Sequence, residues 1–471
     1  MKETAAARPA VEKNEAVAAT PARKRRASDE ASGSRSRSRS HKLARDCGCD
    51  GDLINNLPDV ILATIVSLLP TKYGVRSQAV ARRWRPLWRS APLNLDASYD
   101  LCSNDFGRFS LVSRILCDHP GPARRFAFDR IHLHREEKRY AEEAAQLESW
   151  FNSPLLDNLQ ELDIVFSLLE YLCGQSEKEK RYPLPPSVLR LAPTLQLARI
   201  GSCDFPTEIS PALNFPLLRQ LDLRCVSISE DVFSGVLSGC HVLENLYLSE
   251  IRDVGCLRIC SPTLRIIVIS CLFEDNGELV IMEAPRLERL LLPFSKPRCF
   301  LQGLIPSISE NSISTVKVLA LKFSGPALGA VLNILRCFPC LEKLYVIWDE
   351  YVKAEIKNVR EYDPLDPIKC LENHLKVLVL KNYKGGEEDV GFAKFFVLNA
   401  KVLKEIKFGV CKKIDIDKKW MTDQLMLLEV ETRPSPDTVF KYRSGSSCWD
   451  TYLDTEDLSV ADPFSCCFLD G

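Results

Sequence analysis

The sequence predicts an α/β protein in which an N-terminal helical module is followed by an irregular solenoid of short parallel strands. Three observations support this prediction. The first 50 residues contain almost no large apolar side chains, the next block places apolar residues at helical spacing, and one apolar pattern then recurs ten times up to residue 408. Side chains four apart share a face of a helix, whereas side chains two apart share a face of a strand.

Residues 1–50 are predicted to be a disordered tail, because so few apolar side chains cannot offset the entropy lost on ordering. The tail carries a basic cluster, Arg23, Lys24, Arg25 and Arg26, followed by an Arg-Ser tract at 34–40. Nuclear import receptors read clusters of this kind, so we expect the protein in the nucleus, the cytoplasm or both. The alternatives are a solvated charge run without a partner and contact with RNA.

Residues 51–97 are predicted to form short helices. Pro58 suits a first helical position, Thr71 is expected to cap a second helix, and Pro86 is expected to break it. The first helix is apolar beyond one stripe, so the module should bind a partner; the alternative is that it caps the solenoid. The predicted partner-binding residues are Leu57, Pro58, Ile61, Ile65 and Leu69 of the first helix, with Val80 and the candidate anchor Trp84 of the second.

The recurring pattern has apolar residues at its first, fourth and sixth positions, as in LRQLDL (218–223) and LERLLL (287–292). The copies start at residues 159, 195, 218, 243, 264, 287, 316, 341, 375 and 403, so the intervals run from 21 to 36 residues. Leucine-rich repeats have a period of about 20–29 residues, so most of these intervals fall within that range and the longest exceed it. One copy cannot bury its leucines until neighbours stack on it. Residues 120–373 are therefore predicted to form a solenoid rather than an ordinary α/β domain.

Substrate contact is predicted on the strand positions that alternate with the buried leucines, because those side chains point to the opposite, concave face. This face mixes apolar and polar side chains without a basic stripe, which favours a protein or peptide ligand and argues against nucleic acid. The predicted residues are Asp222, Arg224, Tyr247, Ser249, Val268, Ser270, Ala320, Lys322, Tyr345, Ile347, Val379 and Lys381.

The sequence contains none of the common nucleophile, zinc or phosphate-binding motifs, so we expect neither enzymatic activity nor a cofactor. His132 and His134 alternate on one predicted strand but lack a nearby third ligand, so a metal is not expected. The 19 cysteines, including Cys337 and Cys340 of CFPC, follow no signal peptide and are expected to be free thiols in a reducing compartment. No window is long and apolar enough for a membrane span.

Three parts of the chain resemble known modules. LPDVIL, IVSLLPTK and VARRWRPLWRSAPLNLD, within 51–97, resemble an F-box. Residues 120–373 resemble leucine-rich repeats, and FAKFFVLNAKVLKEI, within 374–410, resembles the FBD motif. In this order the modules are similar to those of plant F-box proteins with leucine-rich repeats and a C-terminal FBD motif. Residues 411–471 form a C-terminal extension in this interpretation.

The resemblance implies a substrate-recognition subunit of an SCF-type ubiquitin ligase. The F-box would bind a Skp-type adaptor, and through it a cullin, while the repeats would bind a protein substrate. Gly74 stands where the family carries Asp or Ala, and glycine is expected to weaken the second helix by about 1 kcal/mol. The FBD-like segment is expected to shield the terminal leucines. The alternatives are a repeat scaffold outside a ligase and an RNA-associated factor acting through the Arg-Ser tail.

Overall fold

The structure is a computed structural model that describes residues 54, 56–79, 82–98, 100–134, 136–166, 182–208, 213–272, 278–282, 284–294, 313–323, 325–348, 367–412 and 414–444. The chain divides into two compact units, residues 1–55 and residues 56–471. Only Ile54 is described in the first unit, so the predicted tail and its basic cluster lie outside the described residues. The second unit holds all the described helices and strands.

The second unit begins with three short helices, α1 (Asp59–Leu68), α2 (Thr71–Ser77) and α3 (Trp84–Ser90). Pro58 and Pro70 stand immediately before α1 and α2. Proline is tolerated at the start of a helix, because the N–H that it lacks would have no intrahelical acceptor there. The two prolines therefore fix where the first two helices begin.

Four details of these helices differ from the prediction. Pro58 stands just before α1 rather than at its first position. Thr71 is the first residue of α2 rather than its cap. Trp84 begins α3 rather than lying on the second helix, because α2 already ends at Ser77. Pro86 lies within the first turn of α3 and does not break it, since a first-turn residue needs no backbone donor.

A sheet of 13 strands follows, and all neighbouring strands in it are parallel. Its strands in spatial order are β1 (Leu93–Asp96), β2 (Ala123–Ile131), β3 (Glu161–Phe166), β5 (Leu197–Gly201), β7 (Gln220–Arg224), β8 (Asn245–Ile251), β10 (Ile266–Leu272), β12 (Arg289–Phe294), β13 (Val318–Phe323), β14 (Lys343–Trp348), β15 (Val377–Tyr383), β16 (Glu405–Val410) and β17 (Val439–Ser444). Two small parallel pairs join β4 (Tyr182–Pro183) to β6 (Cys203–Asp204) and β9 (Cys256–Ile259) to β11 (Glu278–Ile281).

The ten predicted repeats form β3, β5, β7, β8, β10 and β12 to β16, which confirms the fold class. Three further strands, β1, β2 and β17, extend the sheet at its two ends. The sheet therefore begins within the segment predicted as 51–97 and ends within the predicted extension 411–471. The FBD-like segment, 374–410, is followed by a further strand and is not the last layer of the described sheet.

The segments that connect the strands differ from one repeat to the next. In their described parts, some contain an α-helix, whereas others contain a 3₁₀ helix or one of the small strands, as expected from the unequal intervals. The remaining α-helices within the described ranges are α4 (Asp105–Asp118), α5 (Glu137–Phe151), α6 (Glu230–Ser238), α7 (Leu328–Leu335), α8 (Lys369–Asn373), α9 (Glu387–Asn399) and α10 (Lys418–Leu427).

The main hydrophobic core lies on one face of the sheet. The repeat residues Leu218, Leu221 and Leu223 are buried there, together with Val232 and Phe233 of the connecting helix α6. The fourth and sixth positions of each pattern point to the same side because side chains alternate along a strand. Stacking the repeats thus buries a continuous row of leucines that no single repeat could bury.

A charged residue occupies the second position of eight successive patterns, and we call this row the strand-start ladder. Its members are Arg219, Glu244, Arg265, Glu288, Lys317, Glu342, Lys376 and Lys404. The N–H of each member after Arg219 donates to the carbonyl of the member before it, as from Glu288 to Arg265 at 2.9 Å. Their side chains also pair, with Arg265 Nη2 2.8 Å from Glu288 Oε1. Charge sign alternates along this row as far as Lys376.

Candidate functional site

Helices α1 and α2 present an apolar surface to solvent. Val60 is 75% exposed and Leu68 is 57% exposed, and Ile61, Tyr73 and Val75 are each close to half exposed. We call these five residues the helix patch. Large apolar side chains that are exposed together indicate a surface that another molecule covers. The helix patch is therefore the first candidate binding surface.

The predicted partner-binding residues divide between this surface and the core. Pro58 and Ile61 are exposed, Leu57 and Ile65 are partly buried against the core, and Leu69 is half-buried. Val80 lies outside the described residues.

The prediction of Trp84 as an anchor is wrong. Its side chain is only 6% exposed because it packs in the core of the helical module. Leu62 and Val66, the second apolar stripe of α1, are also buried. Sequence analysis missed Val60, Leu68, Tyr73 and Val75, although the apolar circumference of α1 was a signal for the first two.

The helical module is held together by close packing on its inner side and by one exposed arginine. Gly74 of α2 lies against the ring of Trp88, where a β-carbon would stand 2.1 Å from Cζ3. Arg83, just before α3, reaches back to α1: its Nε lies 2.7 Å from Asp59 Oδ1 and its Nη2 donates to Leu57 O at 2.8 Å. These contacts fix α1 and α2 so that the helix patch faces outward.

Side-chain hydrogen bonds join the helices to the sheet. Thr71 Oγ1 donates to Asn94 O at 2.7 Å and accepts from Asp96 N at 3.1 Å. Asn94 Nδ2 donates to Leu68 O at 3.0 Å. Because Asn94 and Asp96 belong to β1, the module is bonded directly to the first strand of the solenoid.

A buried arginine strengthens the same junction. Arg108 of α4 is fully buried, and its Nη1 donates to Ala97 O at 2.8 Å and to Asp129 O at 2.9 Å. Its Nη2 lies 2.6 Å from Asp105 Oδ1, and its guanidinium stands 5.0 Å from the centre of the Phe128 ring. Arg108 therefore connects the end of β1 to β2.

On the sheet face opposite the main core, the first strands carry a chain of ion pairs. Arg199 lies 2.9 Å from Asp163 and 2.8 Å from Asp222, and Arg224 lies 2.7 Å from Asp222. The Arg224 guanidinium stands over the Tyr247 ring at 4.5 Å. Asp222 has no exposed side chain, and burial raises the pKa of Asp163 above its usual value despite Arg199. Asp222 and Arg224, both predicted to contact substrate, thus form an ion pair with each other.

The middle of the same face is apolar and buried. The strands place Tyr247, Val268, Leu291, Ala320, Tyr345 and Val379 side by side in register, and these residues form a second hydrophobic cluster. The predicted substrate contacts at Tyr247, Val268, Ala320, Tyr345, Ile347, Val379 and Lys381 are therefore wrong for this conformation, because these side chains are at most 9% exposed.

The remaining predicted contacts on this face are more accessible. Arg224, Ser249 and Lys322 are half-buried, and the side chain of Ser270 lies outside the described residues. The accessible part of the predicted surface is therefore narrower and more polar than expected.

The FBD-like segment is built around a loop between β15 and α9. Asp389 accepts hydrogen bonds from the backbone N–H groups of Lys384, at 2.6 Å, and Gly385, at 3.1 Å. Gly385 has a φ of 73°, and a β-carbon there would come within 2.9 Å of Gln424 and Trp420. Because both residues belong to α10, the extension packs directly on the FBD-like loop.

The two histidines that were not expected to bind a metal each lie beside a carboxylate. His132 Nδ1 lies 3.3 Å from Asp105 Oδ2, and His134 Nδ1 lies 2.5 Å from Glu143 Oε1. Over the described ranges, no three His, Cys, Asp or Glu side chains converge as metal ligands would. None of the helices in those ranges has the length and apolar character of a membrane span.

Comparison with protein families gives three matches. The F-box domain matches residues 54–96, the repeats of "FBD-associated F-box protein At5g56370, LRR repeats" match residues 147–300 and 294–346, and FBD matches residues 363–408. The F-box match contains α1 to α3 and β1, and therefore the whole helix patch.

Several Arabidopsis thaliana proteins are similar along most of their length. A putative FBD-associated F-box protein, At3g50710, is 25% identical, and the match covers 84% of this chain and 99% of that protein. The F-box/FBD/LRR-repeat protein At3g26920 is 26% identical, with 80% and 94% covered. The F-box/LRR-repeat protein At3g59190 is 27% identical over 50% of this chain and 60% of its own length. The chain belongs to the F-box proteins that carry leucine-rich repeats and an FBD segment.

Proposed function

We propose that this protein is the substrate-recognition subunit of an SCF-type ubiquitin ligase. The helix patch binds a Skp-type adaptor, which links the chain to a cullin, and the repeats bind a protein substrate. The exposure of Val60, Ile61 and Leu68 within the matched F-box is the observation that carries the proposal. Burying such side chains against an adaptor would remove apolar surface from water, at about 25 cal/mol per Å².

The mechanism is proximity rather than catalysis by this chain. A substrate bound to the repeats is held near the ubiquitin-conjugating enzyme, so its lysines experience a high effective concentration. The bonds of Thr71 and Asn94 to neighbouring elements support this mechanism, since they restrict movement between the F-box and the sheet. The alternative is a repeat scaffold that never joins a ligase.

The decisive experiment measures capture of the adaptor by the full-length chain. Val60→Glu combined with Ile61→Glu would place two charges in the proposed interface. Both side chains are exposed, so in the unbound protein the two glutamates would remain in water and the fold should be kept. We expect loss of adaptor binding with an unchanged unfolding midpoint. Met426→Glu is the matched control, because Met426 is equally apolar and exposed but lies on α10. Equal capture by all three proteins would instead favour the scaffold.

We also propose nuclear targeting through Arg23–Arg26. The sequence of this cluster is the support for the proposal, since basic clusters of this type are ligands of import receptors. Replacing the four residues by alanine should move a fluorescent fusion out of the nucleus. A wild-type fusion found only in the cytoplasm would contradict the proposal.

A further inference from the structure

We propose that a groove along the strand-start ladder binds an extended peptide with anionic side chains at every third position. The groove has a volume of about 850 Å³ and runs past the starts of β7, β8, β10, β12 and β13. Its charged lining consists of Arg219, Arg265, Arg286 and Lys317 with Glu244 and Glu288. Cations therefore outnumber carboxylates, although the whole chain has a net charge of -1.

The two carboxylates of the groove are already neutralised. Glu244 pairs with Arg219, and Glu288 Oε1 accepts from both Nε and Nη2 of Arg265, at 3.0 and 2.8 Å. Each arginine nevertheless keeps donors that can serve a second anion, because a guanidinium carries five N–H groups. Paired arginines can thus still orient a ligand.

The excess positive charge comes from Arg286 and Lys317. Arg286 is exposed in the turn before β12, and no ion pair joins it to any residue within the described ranges. Lys317 Nζ lies 3.8 Å from Glu342, whose carboxylate is held more closely by Lys376 at 2.6 Å. That hydrogen bond from Lys376 lowers the pKa of Glu342, and Lys317 Nζ keeps only long contacts, to Glu342 and to Cys340 O at 3.5 Å.

The spacing of the cations selects the ligand. Arg219, Arg265 and Lys317 precede alternate strands of the sheet, and neighbouring strands are about 4.8 Å apart, so these residues repeat about every 10 Å. An extended peptide advances about 3.3 Å per residue, and acidic side chains three residues apart would match this repeat. A peptide of about seven residues would therefore span the three cations of the groove.

Side chains rather than main chain must recognise the ligand. The carbonyls of Arg219 and Glu288 already accept from the next repeat at 2.8 Å, so the ladder offers no open edge for strand addition. A nucleic acid is disfavoured because it carries a phosphate about every 3.4 Å along each strand, so most of its charges would stand between the cations rather than opposite them. The ligand class is therefore a peptide with separated anionic groups, whether carboxylates or phosphorylated serines.

The test uses the full-length chain and fluorescein-labelled peptides in fluorescence anisotropy. The probe is Glu-Gly-Ser-Glu-Gly-Ser-Glu, compared with a clustered peptide of the same composition and with a version that has Gln for Glu. A fourth peptide with phosphoserine for Glu distinguishes the two sources of anionic charge. We expect the spaced anionic peptides to bind, and binding to weaken as salt screens the charges. Equal binding of the Gln peptide, or of the clustered peptide, would overturn the proposal.

Charge reversal identifies the site. Arg286→Glu with Lys317→Glu should weaken binding about tenfold or more, as expected when about 1.4 kcal/mol of interaction is lost. Lys138→Glu with Lys419→Glu, at exposed positions outside the groove, changes the net charge equally and should leave binding intact. If the first double variant unfolds, Arg286→Gln alone replaces it. Identical affinities for both double variants would overturn the proposal, whereas adaptor capture tests the ligase function separately.

Discussion

Trp88 Cζ3 lies 2.1 Å from the point where a β-carbon on residue 74 would stand, so α2 can pack on α3 only with glycine at that position. Glycine at position 74 is thus required for packing, although it is expected to weaken α2. Trp88 itself is buried and cannot move aside without opening the core. This contact determines how α2, and with it Tyr73 and Val75 of the helix patch, is held.

Gly74→Ala should therefore destabilise the protein, although alanine favours a helix by about 1 kcal/mol. Overpacking a core costs about 1–3 kcal/mol, and we expect a lower unfolding midpoint and weaker adaptor capture. Gly391→Ala is the control, because its would-be β-carbon on α9 has no atom within 4 Å apart from its chain neighbours and the nearby backbone of the same helix. If Gly74→Ala behaves like Gly391→Ala in thermal unfolding, the Trp88 contact does not constrain α2.

Arg108→Met should loosen the junction between the F-box and the repeats. The carbonyls of Ala97 and Asp129 would lose their donor, at a cost of about 3 kcal/mol. Arg139→Met removes an exposed pair with Glu136 at 3.2 Å and should cost less than about 1 kcal/mol. Chemical denaturation of the two variants measures both losses, and similar values would rule out a special role for Arg108.

Tyr442→Ala should destabilise the C-terminal end of the sheet. The Tyr442 ring stacks on Phe408 with a centroid distance of 4.7 Å, so its removal uncovers the last strand of the FBD-like segment. We expect Tyr442→Ala to lower the free energy of unfolding by about 2 kcal/mol. A chain that ends at Lys412 lacks the whole of β17 and should be insoluble, because the apolar end of the sheet is then exposed. Tyr442→Phe should be neutral, because its hydroxyl has no hydrogen-bond partner among the described residues. A soluble truncated chain with the full-length midpoint would show that the extension is dispensable.

Buried thiols should resist alkylation in the folded protein. Burial raises the pKa of Cys240 and Cys370 to about 12 and that of Cys337 to about 11, so their reactive thiolates are scarce at pH 8. Iodoacetamide followed by mass spectrometry should label the exposed Cys117 and Cys260 before these three buried thiols. Because folding raises these pKa values, the buried thiols contribute to stability in their protonated form. This contribution is fully present below about pH 9 and is lost as the pH rises toward 12. Rapid labelling of Cys370 at pH 8 would contradict this burial.

The sequence identified repeats better than it identified surfaces. Ten strands were predictable because their large apolar residues recur. Strands β1 and β17 lack the full pattern and β2 begins it with the small Ala123, so these three strands are revealed only by their pairing in the sheet. Trp84 was misplaced because an apolar stripe does not indicate which side is covered. Tyr345 was misplaced because its burial depends on neighbours such as Val379, which alternation along one strand cannot reveal.

The alternating charges of the strand-start ladder limit how this protein can change length during evolution. Deleting one repeat between Arg219 and Lys376 would bring two arginines or lysines, or two glutamates, onto adjacent strands. Deleting two successive repeats would preserve the alternation and keep each cation beside a carboxylate. Natural gain or loss of repeats in this region should therefore occur in pairs, with each pair inherited as a neutral unit.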